Sequence, residues 1–234
     1  MKGKLYLIPT TLGEASHDLS FPSYNNIIIS GLKHYVVEEL RSARRFLKKV
    51  DKSIDIENLT IEVLNEHTDA KDVAELLRYA ENGEDIGLVS EAGCPAVADP
   101  GADIVSVAHR KGIQVVPLVG PSSILMSLMA SGFNGQNFAF VGYLPVKPNE
   151  KIQRIKQLEG RVYAENQTQI FIEAPYRNNQ LLETMVKYLQ PHTRICVAAD
   201  ITLESEFIVT KTANEWKRSL PELHKRPTIF LIYK

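Results

Sequence analysis

The sequence predicts an α/β fold in two nearly equal halves, and three observations carry that reading. Short apolar strands alternate with helical stretches almost from end to end, the pattern of largely parallel sheets. A buried strand near residue 118 runs into a Gly/Pro turn, which divides the chain into an N-terminal domain, 1–118, and a C-terminal domain, 119–234. The tail after residue 190 is rich in strands, so the second half is expected to hold a mixed sheet.

Leu5–Ile8 is a short apolar strand closed by Pro9, and residues 10–26 read as a loop of Thr, Gly, Ser, Asp, Pro and Asn. Leu32, Val36, Leu40, Ala43, Leu47 and Val50 recur at steps of three or four and predict one amphipathic helix over 32–50, with Arg41, Arg45, Lys48 and Lys52 on a neighbouring face. Ile61–Leu64 is a strand. Asp69 is placed to cap a helix carrying Val73, Leu76, Leu77 and Ala80, which Asn82-Gly83 ends. Strand Ile86–Val89, helix Asp103–Lys111 and strand Ile113–Leu118 follow. Ser122 or Ser123 then caps a helix over Ile124–Ala130. The second half continues with strand Phe138–Val141, helix Lys151–Leu158, strand Gln169–Glu173, helix 176–189 and strand Arg194–Ala199. Strands Phe207–Val209 and Thr228–Tyr233 flank a helix over 213–220.

Composition narrows the function. The chain has 234 residues, 27 Lys+Arg against 28 Asp+Glu, and a formal net charge of -1. That balance excludes nucleic-acid binding through bulk charge and leaves a local basic patch open. A hydrophobic fraction of 44% fits a folded globular chain rather than a disordered one. No apolar run approaches the ~18–20 residues of a membrane helix. The apolar part of Met1–Pro9 is too short for a signal peptide and reads as a first strand, and the use of only two cysteines, Cys94 and Cys196, fits the reducing cytoplasm that is expected. Cys94 and Cys196 are far apart and form no CxxC pair, and the six histidines lack metal-ligand spacing. Neither a disulfide nor a metal centre is expected.

GxGxxG, GxxxxGK and GxSxG are all absent. What remains is a set of turns at strand ends. The first is Gly87–Gly101, a buried strand running on through Ser90, Glu91, Ala92, Gly93, Cys94, Pro95, Val97 and Asp99. The connection after the strand is about eleven residues long, against ~2–6 for an ordinary βα connection. Such a loop lets backbone groups face a ligand, or it is a plain connection. The second, Val119-Gly120-Pro121-Ser122-Ser123, joins a strand end to a helix N-terminus, which either receives an anionic group or is simply capped. The third, Glu173-Ala174-Pro175-Tyr176-Arg177, has the same form and the same two readings.

Together these turns resemble the tetrapyrrole methylase superfamily of S-adenosylmethionine-dependent methyltransferases, and within it the ribosomal RNA small subunit methyltransferase I branch. The resemblance covers nearly the whole chain. It also rests on Leu5–Thr10 with Gly13, Gly112-Ile113 through Pro117, Ala130-Ser131-Gly132 and Gly142-Tyr143-Leu144-Pro145. It implies two α/β/α domains with S-adenosylmethionine in a cleft between them, and a homodimer. It places the cofactor against Pro9, Glu91, Ala92, Gly93, Cys94 and Val97. Ser122 and Ser123 would meet its amino-acid or ribose part. Ile172, Ala199, Pro227 and Thr228 would line its adenine side.

On the acceptor side the chain departs from the branch. Pro-Ile-Gly-Asn-Leu is replaced by Thr11-Leu12-Gly13-Glu14-Ala15, and Glu-Asp-Thr-Arg by Glu38-Glu39-Leu40-Arg41. His-Asp-His-Asn becomes Asn65-Glu66-His67-Thr68, and Ala-Arg-Glu-Leu-Thr-Lys becomes Ala198–Leu203. Glu38, Glu39 and Arg41 are expected on the charged helix. His67 reads as a base near neutral pH or as a structural histidine. Arg44, Arg45, Lys48 and Lys49 meet phosphate or are solvated. Methyl transfer to ribosomal RNA, at the ribose 2′-hydroxyl of a cytidine, leads. C-methylation of a tetrapyrrole and a cofactor-binding module without turnover are the alternatives.

Overall fold

The structure is a computed structural model that describes residues 1–14, 21–64, 68 and 70–234, with backbone alone at 70 and 71. His67 and Asp69, expected as a base and a helix cap, lie outside the described residues. The chain divides into two compact units, Met1–Ser122 and Ser123–Lys234.

The first unit is built on five parallel strands: β1 Lys4–Ile8, β2 His34–Val37, β3 Thr60–Val63, β4 Ile86–Val89 and β5 Gln114–Pro117. Their order is β3-β2-β4-β1-β5. Leu7 of β1 sits beside Leu88 of β4 and Pro117 of β5. Alternate residues feed two cores. Leu5, Val36, Ile86 and Leu88 join one; Tyr6, Ile8, Tyr35, Val37 and Val89 join the other. Because both faces are covered, the central strands β1, β2 and β4 read as nearly continuous apolar runs. Helices α1 (Ser23–Gly31) and α2 (Leu40–Val50) supply Ile29, Ala43, Phe46 and Leu47 to the second core. Helix α3 (Ala70–Glu75), the short α4 (Arg78–Glu81) and α5 (Gly101–Arg110) serve the first, through Val73, Ala80, Ile104 and Val107.

The expected helix over 32–50 is a correction. Leu32 follows α1, and Val36 lies in strand β2 with neighbours buried on both faces. The helix starts only at Leu40. An apolar run buried on both sides carries no period of its own, so Leu32 and Val36 aligned by chance with the true helical spacing of Ala43, Leu47 and Val50. The expected loop over 10–26 likewise gives way to α1 from Ser23. Its register is fixed by Asn25, buried and donating from Nδ2 to the Val119 carbonyl at 2.7 Å.

The second unit has a mixed sheet, β6-β7-β10-β8-β9. Its strands are β6 Phe138–Tyr143, β7 Thr168–Ile172, β8 Arg194–Ala199, β9 Phe207–Thr212 and β10 Thr228–Tyr233. Only β6 and β7 are parallel; the other neighbours are antiparallel. Helices α7 (Pro148–Glu165), α8 (Asn178–Tyr188) and the short α9 (Ala213–Trp216) cover a core of Ile155, Leu158, Leu182, Met185, Val197, Trp216 and Phe230. Helix α6 (Ser123–Ser131) packs on β9 and β10, and Thr210 Oγ1 donates to the Ser131 carbonyl.

Candidate functional site

A parallel sheet sends all its strand ends to one edge, where connecting loops are free to face a ligand. In the first unit, Pro9 and Thr10 leave β1 there, Ser90 leaves β4 and Leu118 leaves β5. Thr10 and Gly93 exchange backbone hydrogen bonds in both directions, at 2.9 and 3.3 Å. Gly93 has φ +74°, and a Cβ there would lie 3.1 Å from Leu12 Cδ2 and 3.4 Å from the Pro121 carbonyl oxygen. Gly120 is tighter still: its Cβ would sit 2.2 Å from Pro9 Cγ. The Cys94 thiol donates to the Pro121 carbonyl at 3.4 Å. Pro9, Gly93, Cys94 and the Gly120-Pro121 turn leading to Ser122 are therefore one constellation.

Beyond Gly93 the loop is held by Asp99, whose Oδ1 accepts from Ala96 N at 2.7 Å and Gly101 N at 2.8 Å. This pins Ala96 and Ala98 at φ +64° and +61°, in the left-handed region that non-glycine residues avoid. Such strain persists only where the surroundings over-determine it, and it gathers at functional sites. Glu91, Ala92 and Val97 stay exposed, Val97 at 51%.

Charge collects here. Burial pushes the Asp99 carboxyl above its ordinary value against the pull of its two N–H donors. Burial also raises Glu38; the Glu91 N–H opposes this at 3.2 Å, and the charges of Asp99 and Glu91 add to it. Burial raises the Cys94 thiol, so it is no activated nucleophile. Glu38 and Glu39 were expected on the helix, but both precede it. Glu39 accepts from Arg41 N and Ser42 N as the N-cap of α2, and Ser42 Oγ donates to Glu91 Oε1 at 2.5 Å. Glycine and proline punctuation revealed the loop. The bonds tying it to α2 pair residues about 50 apart and leave no local signal.

In the second unit the expected residues gather on neighbouring strands. Thr228 pairs with Ala199, and Ile229 with Ile172. Asp200 N donates to the Pro227 carbonyl at 2.9 Å. Asp200, Thr202 and Lys225 around this edge have φ between +52° and +74°. Arg226 Nε donates to Asp200 Oδ2 at 2.7 Å, and Asn178 Nδ2 to the Arg226 carbonyl at 2.7 Å. Asn178 Oδ1 and Thr202 Oγ1 are buried without a hydrogen-bond partner. Ser123 opens α6 in this unit. Asn178 was not singled out in the sequence, and Thr202 only within the stretch Ala198–Leu203, because an unsatisfied atom is visible only in three dimensions.

Beside this edge, Glu173 has a side chain with no exposed surface. It takes Lys151 Nζ on Oε2 at 2.5 Å, and Arg177 Nε, Arg177 Nη2 and Ala174 N on Oε1 at 2.6–2.9 Å. Burial acts to raise its carboxyl. The bonds from Arg177, Lys151 and the Ala174 N–H outweigh it and hold the group below the ordinary carboxylate range. Among the described residues no group of three or more His, Cys, Asp or Glu side chains is placed to hold a metal ion. No described helix is long and apolar enough to cross a membrane.

The fold of this chain is shared with known proteins. The family described as Tetrapyrrole (Corrin/Porphyrin) Methylases matches residues 27–216, and the chain belongs to that family of methyltransferases. Among curated relatives, the ribosomal RNA small subunit methyltransferase I of Bacillus subtilis is 32% identical over 213 residues, covering 91% of this chain and 68% of that protein. The protein of the same name from Escherichia coli O157:H7 is 29% identical over 207 residues, 88% of this chain and 68% of its own. The solved methyltransferase CobJ superposes with a TM-score of 0.66 at 17% identity, over 99% of this chain and 94% of its own, a likeness of fold.

Proposed function

We propose that the chain transfers a methyl group from S-adenosylmethionine to small-subunit ribosomal RNA, at the ribose 2′-hydroxyl of a cytidine. The observation that carries this is the 32% identity, across nine-tenths of the chain, to a relative named for that RNA. The second reading, a tetrapyrrole acceptor, is supported by the description of the matching family, Tetrapyrrole (Corrin/Porphyrin) Methylases.

The residues present fit the cofactor. In the first unit Gly93 and Gly120 let the backbone pack against Leu12 and Pro9, where a Cβ would be crowded, and Glu91, Ala92 and Val97 are exposed in the same loop. Pro9, Glu91, Ala92, Gly93, Cys94, Val97 and Ser122 are proposed to hold the amino-acid and ribose parts, with Ser123 at the start of the second unit. In that unit Ile172, Ala199, Pro227 and Thr228 are proposed for the adenine. There the unpartnered Asn178 Oδ1 and Thr202 Oγ1 offer an acceptor and a hydroxyl to the amino and hydroxyl groups of an adenosine. When bound, the sulfonium supplies an activated methyl carbon. The chain then has only to bind it, align the acceptor and exclude water. A hydroxyl acceptor also needs a group to take its proton.

The working form is proposed to be a cytoplasmic homodimer. Exposed Tyr24 and Ile27 on α1 are apolar surface suited to a two-fold contact. Titration calorimetry tests the cofactor reading. Low-micromolar binding of S-adenosylmethionine or its demethylated product is expected, about -8 kcal/mol. Gly93→Val is expected to weaken it by ~2 kcal/mol, because a branched residue cannot hold φ +74° beside Leu12. Absence of heat up to millimolar ligand contradicts the reading.

A further inference from the structure

The buried ion triad of the second unit lies beside two exposed tyrosines whose purpose the cofactor reading does not explain. Strands β6 and β7 are parallel, with Tyr143 beside Ile172, so Tyr143 and the Glu173–Arg177 turn leave the same edge. Tyr143 and Tyr176 are 65% and 62% exposed, unusual for side chains so large. Arg177 stands against Tyr176. Its charge centre lies 4.9 Å from the centroid of the Tyr176 ring, and the Tyr143 phenol is near enough to act on its charge.

Arg177 is fixed. Nε and Nη2 both donate to Glu173, and Nη1 donates to the Tyr176 hydroxyl at 2.6 Å. Lys151 occupies the other Glu173 oxygen, so the carboxylate cannot turn away. An arginine with its edge spent in this way grips a phosphate poorly, but its plane remains. Two exposed phenol rings and one held guanidinium plane are what unpaired nucleobases stack on, and they need no sequence-specific hydrogen bonds to do so.

We propose that Tyr143, Tyr176 and Arg177 form a stacking platform for unpaired bases of the RNA substrate, with Glu173 and Lys151 as its positioning residues. The proposal rests on the RNA reading above. Its contribution is distinct from phosphate attraction, so affinity should fall on losing the rings while the salt dependence stays.

The test measures binding of a fluorescein-labelled 12-nucleotide single-stranded RNA across a salt series. Tyr143→Ala with Tyr176→Ala is expected to lower affinity about tenfold or more at unchanged salt slope, and the corresponding Phe pair to stay within about twofold. An abasic oligomer with the same phosphates should bind the parent no better than the Ala pair binds the intact RNA. Ultraviolet crosslinking of the unaltered protein should place RNA adducts on Tyr143 or Tyr176, a readout that needs no variant to fold. If the Ala pair binds like the parent and adducts fall elsewhere, the platform is wrong while the RNA reading stands. If the parent binds neither the oligomer nor small-subunit particles, both fall together.

Discussion

Single residues at the two strand edges are strained or buried in ways that general packing does not require. Ala96, Ala98, Asp200 and Thr202 all hold left-handed backbone beside the candidate turns. Glu173 gives the sharpest test of how tightly such an edge is set. Its carboxyl is held below the ordinary value in the folded chain. Its contribution to stability is therefore complete above the unfolded value of ~4.3 and is lost as pH falls through the lower folded value. Glu173→Gln should leave Lys151 and Arg177 beside a neutral amide and cost about 3 kcal/mol at pH 7 by urea unfolding. The gap between variant and parent should shrink below pH ~4. An equal gap at pH 7 and pH 3 would show that the triad contributes by shape alone. The sequence marked Glu173 and Arg177 as a turn at a strand end. The third member, Lys151, comes from a helix 22 residues earlier and carries no local signature.

At the scale of elements, strands Ile86–Val89, Arg194–Ala199 and Thr228–Tyr233 were legible to the residue, because β-branched runs between turn signals have few alternatives. Residues 23–37 were misread: the helix α1 lacks a polar N-cap side chain and its strand neighbour is buried on both faces. Helix α2 survives with its start moved to Leu40, and its buried Ala43, Phe46 and Leu47 leave Arg41, Arg44 and Arg45 outward and exposed. Lys48 is spent instead on the Lys52 and Ile54 carbonyls. The three arginines form no salt bridge among the described residues, which suits a phosphate-facing surface. Arg44→Glu with Arg45→Glu should weaken RNA binding and reduce its salt slope by about two units, while cofactor affinity holds. RNA binding unchanged across the salt series would mark this face as merely solvated.

For the molecule as a whole, the alternation of strands and helices disclosed both the class and the change from parallel to mixed sheet. The candidate turns at the strand ends were legible as turns because glycine and proline positions are written into the chain. The surroundings of these turns were less so: His67 lies outside the described residues, and the Glu38–Glu91–Ser42 bonds join segments distant in sequence. Light scattering at micromolar concentration should give a mass near twice 26.3 kDa. A single 26.3 kDa species would remove the dimer. The central claim is methyl transfer to RNA, and one measurement meets it directly. The purified protein is incubated with tritiated S-adenosylmethionine and small ribosomal subunits from cells lacking this chain, followed by nucleoside mass analysis. The account predicts label in the RNA, on the ribose of a cytidine. Label absent from RNA but transferred to a uroporphyrinogen offered in parallel would contradict it.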